Sequence, residues 1–259
     1  MVPFGYWAAV IGADLFATLA TFAAIASGSQ RVLTPARQRR FLAVIALLGA
    51  AWAALIGWSA GRGVFHFSAA YPFPFVVLAI ALPPLVGALA LLRSATVRSL
   101  VSAIPQRQLI GIQTIRLAGV VFLVAMLQAR LPAVFALPAG IGDISVGLAA
   151  ALIVLRSRDR ESPSARTIAL WNAGGILDLV VATTIGFLAS TTPMRLIFSS
   201  PSTDFVTATP LVLIPAFGVP LFLLLHIASL DALRRANEKG RLEGRPPVVT
   251  ATQPIRRPA

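Results

Sequence analysis

The 259-residue chain has no cysteine, which excludes disulfides, thiolate metal sites and cysteine nucleophiles. Lysine is almost absent. Of 22 basic residues, 21 are Arg and one is Lys239, so no lysine falls in an apolar run and a Schiff base on such a helix is excluded. Charged residues make up only 12% of the chain, against ~25% in an average soluble domain. That scarcity excludes a disordered chain and an ordinary soluble enzyme. There are two histidines, His66 and His226. They belong to opposite ends of the apolar runs, so joint ligation of a haem or metal is not expected, and no metal or other cofactor is called for. No P-loop, His-Glu-x-x-His or dinucleotide fingerprint occurs.

What is present is apolar length. Hydrophobic residues make up 57% of the chain and the mean hydropathy is +0.83. Seven runs, roughly 5–27, 41–60, 73–92, 109–128, 132–155, 167–189 and 209–229, reach the ~18–25 residues that cross a hydrocarbon core as helices. The expected fold is an all-α bundle of seven transmembrane helices over residues 1–230. A disordered, basic, Pro- and Arg-rich tail is expected over 231–259. The first run lacks a basic leader and contains Asp14, so it reads as a retained helix.

The formal charge of +13 could point to nucleic acid, but its distribution does not. Eighteen of the 22 basic residues fall in segments 28–40, 93–108 and 156–166 and after 229. That asymmetry predicts an outside N-terminus and an inside C-terminus. The expected partners are the bilayer and, at the tail, anionic headgroups. A homo-oligomer or an unidentified membrane partner is left open. The excess of Arg over Lys fits a GC-rich bacterial genome, and hence the bacterial inner membrane. Tyr6, Trp7, Trp58, Tyr71 and Trp171 fall at run ends, as interfacial rings do.

Three features predict local geometry. Pro83 and Pro84 in the third run, and Pro215, Gly218 and Pro220 in the seventh, predict broken or kinked helices, while Pro132 and Pro138 bracket the first turns of the fifth. Gly49, Ala53, Gly57 and Gly61 form a four-residue ladder that predicts close helix packing. Gly57-Trp58-Ser59-Ala60-Gly61 fits the G-x-S-x-G pattern, but it lacks the strand-turn-helix setting of a nucleophile elbow.

The charges inside the apolar runs are Asp14, Arg116, Asp143 and Asp178. A charge at that depth costs at least ~2.5–3.5 kcal/mol and should face the bundle interior. Asp143 and Asp178 sit in locally similar settings, Gly140-Ile141-Gly142-Asp143-Ile144 and Gly175-Ile176-Leu177-Asp178-Leu179. Ala139, Asp143, Gly147 and Ala151 line one face, and Gly174, Asp178, Ala182 and Gly186 line the other. Packing through those faces would bring the carboxyls together. Asp14, in Gly12-Ala13-Asp14-Leu15, is a weaker third copy. Arg116 can fork onto one carboxylate or bridge two. A carboxyl left without a full positive partner is disposed to carry a proton or bind a cation. Gln113, Asn172 and His226 are secondary candidates.

The leading expectation is therefore a small transporter-like protein with a proton or cation site at Asp143, Asp178, Arg116 and Asp14, and no catalytic residue is assigned. One alternative is a membrane-embedded enzyme acting on a lipid or isoprenoid with an Asp as general acid. The other is a non-catalytic subunit or scaffold whose polar cluster is structural.

Overall fold

The computed structural model describes residues 2–157 and 163–242. Its regular structure is helical, in eight helices, and seven of them are long and apolar enough to cross a membrane. These are α1 (Phe4–Ser29), α2 (Pro35–Gly61), α3 (Phe75–Arg93), α5 (Gln106–Leu127), α6 (Ala133–Arg156), α7 (Ala165–Leu188) and α8 (Ile214–Leu242). Each expected run becomes one of them. Their outward side chains are apolar, with Leu47 70% and Leu92 73% exposed, a surface compatible with bilayer contact. Helix α4 (Ala95–Ala103) is short. Ser94 caps it by accepting from Val97 N, while Arg98 Nη1 donates to Leu91 O and Leu92 O and closes the end of α3.

Helices α5 and α8 are the most buried of the seven and form the centre of the bundle. Both depart from α geometry there. In α5, residues Gln113–Gly119 tighten into a 3-10 turn. In α8, Ile214–Gly218 widen into a π turn, as Pro215 and Gly218 foretold. Elsewhere proline makes no break: α3 runs as one helix through Pro83 and Pro84, while Pro132 caps α6 and Pro138 lies in its opening turns, as the sequence places them. In lipid-like surroundings a lost donor is re-satisfied by local adjustment, so proline alone does not end a helix. The break in α5 has no proline to announce it.

Other expectations need correcting. The glycine ladder of α2 does not pack within the chain: a Cβ on Gly49, Gly57 or Gly61 would meet nothing within 4 Å. Instead α2 joins the bundle through Trp52, which donates from Nε1 to Ala216 O at 3.3 Å. Tyr6 does not face outward from the bundle. It is buried, packs edge-on against Phe205 and donates from its hydroxyl to Gln128 at 3.0 Å. Trp171 is buried as well. His66 pairs with Thr207 Oγ1 at 2.8 Å.

The expected tail begins too early. Helix α8 continues to Leu242. Asp231 pairs with Arg235 and Arg234 with Glu238, both at i,i+4 spacing, so this charged stretch is a solvated helix face. The remainder of the expected tail, 243–259, lies outside the described residues.

Candidate functional site: an arginine between two aspartates

The 3-10 turn of α5 sets the site. At three residues per turn, positions i, i+3 and i+6 stack in one column. Gln113, Arg116 and Gly119 stand at that spacing, and they are the buried residues of the turn. An α-helix would have fanned them apart. Gly119 makes room for a neighbour, since a Cβ there would lie 3.0 Å from Asp143 Oδ2. Across the same contact Gly147 of α6 admits the α5 backbone, where a Cβ would lie 2.9 Å from Leu117 N.

Arg116 is 2% exposed. Its Nε donates to Asp143 Oδ1 at 2.7 Å, and its Nη2 pairs with Asp178 Oδ2. Its Nη1 faces Gly175 O at 3.4 Å and His226 Nε2 at 3.3 Å. The guanidinium carbon stands 5.8 Å from the centre of the Phe222 ring. One guanidinium thus holds two carboxylates from two helices.

The two carboxyls meet as expected, but through different contacts. The small face of α6 carrying Asp143 and Gly147 turns to α5, not to α7. Helix α6 meets Asp178 through Gly142, one residue before Asp143. Helix α7 meets His226 and Arg116 through Gly175, while a Cβ on Gly174 would meet nothing within 4 Å. The glycines that make these two contacts, Gly142 and Gly175, are each one position off the four-residue ladder.

Behind Arg116 a chain of hydrogen bonds leads to the start of α5. Asn172 Nδ2 donates to Ile168 O and to Ser229 Oγ, each at 2.9 Å, which fixes the orientation of the amide. Asn172 Oδ1 therefore faces His226 Nδ1, at 2.8 Å, as an acceptor. The His226 proton must then sit on Nδ1, leaving the Nε2 lone pair to accept from Arg116. Ser229 Oγ donates onward to Gln106 Oε1 at 2.8 Å, and Gln106 Nε2 donates back to Ser229 O at 2.6 Å. Trp171 covers the imidazole, with ring centres 4.9 Å apart, and anchors its own Nε1 on Val146 O. Thus Asn172 and His226 belong to the site, and Ser229, Gln106 and Trp171 are members the sequence reading missed. Spacing was the available signal: His226 and Ser229 stand three apart on α8, as Gln113 and Arg116 do on α5.

Gln113 is fully buried and donates to Phe222 O at 3.2 Å, while its Oε1 has no partner. It does not bond Arg116. Asp14 is not in the Arg116 cluster either. Its Oδ2 is buried without a hydrogen bond, and it packs against Gly218 of the π turn. Asp14 and Asp143 both line a cavity of about 40 Å³ between α1, α5, α6 and α8. Among the described residues no group of three or more His, Asp or Glu is placed to hold a metal ion.

Gly175 gives a direct test of how tightly the cluster is set. A Cβ there would run into the His226 ring and come within 3.3 Å of Arg116 Nη1. Helix propensity alone favours Ala over Gly by about 1 kcal/mol, but forced overpacking costs ~1–3 kcal/mol. Gly175→Ala is therefore expected to lower the thermal unfolding midpoint in detergent. A raised midpoint would show that His226 yields freely.

The class this defines is an all-helical bundle with a buried, branched ion cluster at its centre. Residues 73–234, more than half of the chain, match the family described as a domain of unknown function (DUF8737), and the chain belongs to that family. The matched stretch contains Arg116, Asp143, Asp178, Asn172 and His226, while Asp14 precedes it. No curated protein and no solved structure matches the chain.

Proposed function

We propose that this protein is a small transporter-like membrane protein. In this reading Asp143 and Asp178 load and release a proton or cation, and Arg116 is the fixed charge that anchors them. The supporting observation is the unequal charge count: one guanidinium faces two carboxylates. With both carboxylates ionised the cluster is one positive charge short, and a buried site cannot carry that deficit cheaply. A proton or a cation is the natural complement. The two non-α turns lie at this level, as in transporters whose discontinuous helices frame a central site. The cavity beside Asp143, about 40 Å³, has the scale of a few waters rather than a lipid chain, which favours this reading over a lipid-modifying enzyme.

The seven helices cross the bacterial inner membrane with the N-terminus outside. The support is the clustering of 18 of the 22 basic residues in segments 28–40, 93–108 and 156–166 and after 229 of the sequence. On that orientation, the chain from Gln106 to His226 runs from the inner end of the bundle towards Arg116, and the charged end of α8 reaches anionic headgroups.

The test is charge displacement by proteoliposomes on a solid-supported membrane sensor, after a step in pH, Na+ or K+. The wild-type chain is expected to give a transient displacement with at least one of these ions. Asp143→Asn combined with Asp178→Asn is expected to reduce it at least tenfold. A folded wild-type protein giving no displacement with any of the three would overturn the reading and leave the cluster a purely structural one.

A further inference from the structure

The cavity of about 40 Å³ has two polar side chains at its wall, Asp14 and Asp143. The rest of the lining is apolar or glycine, including Ala13, Ala118, Phe122 and Phe222. A water needs roughly 10–15 Å³ of such volume and two or more polar partners, so the space suits a short water bridge between the carboxyls. It does not suit a bare metal cation, because hard cations take about six or more oxygen ligands.

The two carboxyls each have an oxygen to spare. Arg116 occupies Oδ1 of Asp143, and Oδ2 takes no hydrogen bond among the described residues. Asp14 Oδ2 is fully buried and takes none either. A buried carboxylate oxygen without a partner is costly, and a proton relieves that cost. Among the described residues, Asp14 and Asp143 are the titratable side chains lining the cavity. Arg116 bonds Asp143, Asp178 shares that guanidinium and lies close enough for the two carboxylate charges to act on each other directly, and His226 reaches Asp143 through Arg116.

We propose that the ion handled by this protein is a proton, and that it passes between Asp143 and Asp14 through water held in this cavity. The O–H bond of one carboxylic acid breaks as a bridging water accepts its proton. The water passes a different proton to the other carboxylate, where a new O–H bond forms. No charge beyond the proton moves, and no other reactant is needed. Asp14 then extends the Arg116 cluster to α1, and the π turn of α8 forms part of the passage wall through Ile214 and Gly218.

This rests on the transport reading above, and one set of measurements separates the two. Proteoliposomes of the full chain are stepped in pH and, separately, in Na+ and K+. The wild-type protein is expected to respond to the pH step. Asp14→Asn is expected to cut the displaced charge to about half, because the proton still loads at the Arg116 cluster but no longer crosses the cavity. Ala13→Val adds methyl groups at the cavity wall without touching either carboxyl, and is expected to slow the displacement about tenfold at unchanged amplitude. Displacement driven by Na+ or K+ but not by pH would overturn this proposal alone. So would a pH response whose size and rate are the same in Asp14→Asn and Ala13→Val as in the wild type.

Discussion

Arg116→Met is expected to be the most damaging single substitution at the site, lowering stability by about 3–5 kcal/mol. The number follows from what is left behind. Methionine fills much of the space, so the loss is electrostatic rather than a cavity. Asp143 and Asp178 would remain buried with no counter-charge between them, and Gly175 O and His226 Nε2 would lose a donor. Arg116→Lys should recover only part of the loss. A lysine presents its donors from one point, whereas the guanidinium reaches four acceptors in different directions. The decisive companion is Arg116→Met with Asp143→Asn and Asp178→Asn together, which removes the charges left unpaired. That triple variant is expected to regain at least half of the loss in denaturant or thermal unfolding of the purified protein in detergent. If Arg116→Met alone proves as stable as the wild type, the cluster does not depend on its central charge.

His226→Leu is the second large effect. It leaves Arg116 Nη1 and Asn172 Oδ1 facing an apolar side chain. Each buried group left unsatisfied costs roughly 1–3 kcal/mol, so a loss of about 2–6 kcal/mol is expected. His226→Gln should be milder, because an amide can accept from Arg116 and donate to Asn172 as the imidazole does. Nitrogen-15 NMR of the imidazole in the full chain should show the proton on Nδ1 and an unprotonated Nε2 that accepts from Arg116. A proton on Nε2 would contradict the bonding order derived from Asn172. With Asn172→Leu the constraint on Nδ1 is removed, and a mixture of tautomers is expected.

The sequence alone carried the seven spanning helices and the interior charges. Seven runs of spanning length could only become seven helices, because backbone groups without water must bond within their own segment. The cost of burying a charge likewise required Asp14, Arg116, Asp143 and Asp178 to find an interior. The helical end of α8 was legible too, through its i,i+4 ion pairs, but a search for apolar periodicity passes over charged stretches. Proline was a poor guide. It marked the π turn at Pro215 and did not end the helix at Pro83 and Pro84.

Only the tertiary structure decided which groups touch. A sequence read at helical pitch assigns each residue to one face, and that rule fails in α5, where the 3-10 turn aligns Gln113, Arg116 and Gly119. The turn owes its shape to what surrounds it: Gly147 and Gly119 let α5 and α6 close together, and Arg116 is held by partners on three other helices. Polar residues scattered from Gln106 to Ser229 become one connected chain for the same reason. Their hydrogen bonds span up to 123 positions in sequence, and no local pattern encodes a contact of that range. The sequence thus determined that this protein must hide charge within an apolar bundle. The packing of its helices decided that the charge is shared by one arginine and two aspartates, with a third aspartate across a small cavity.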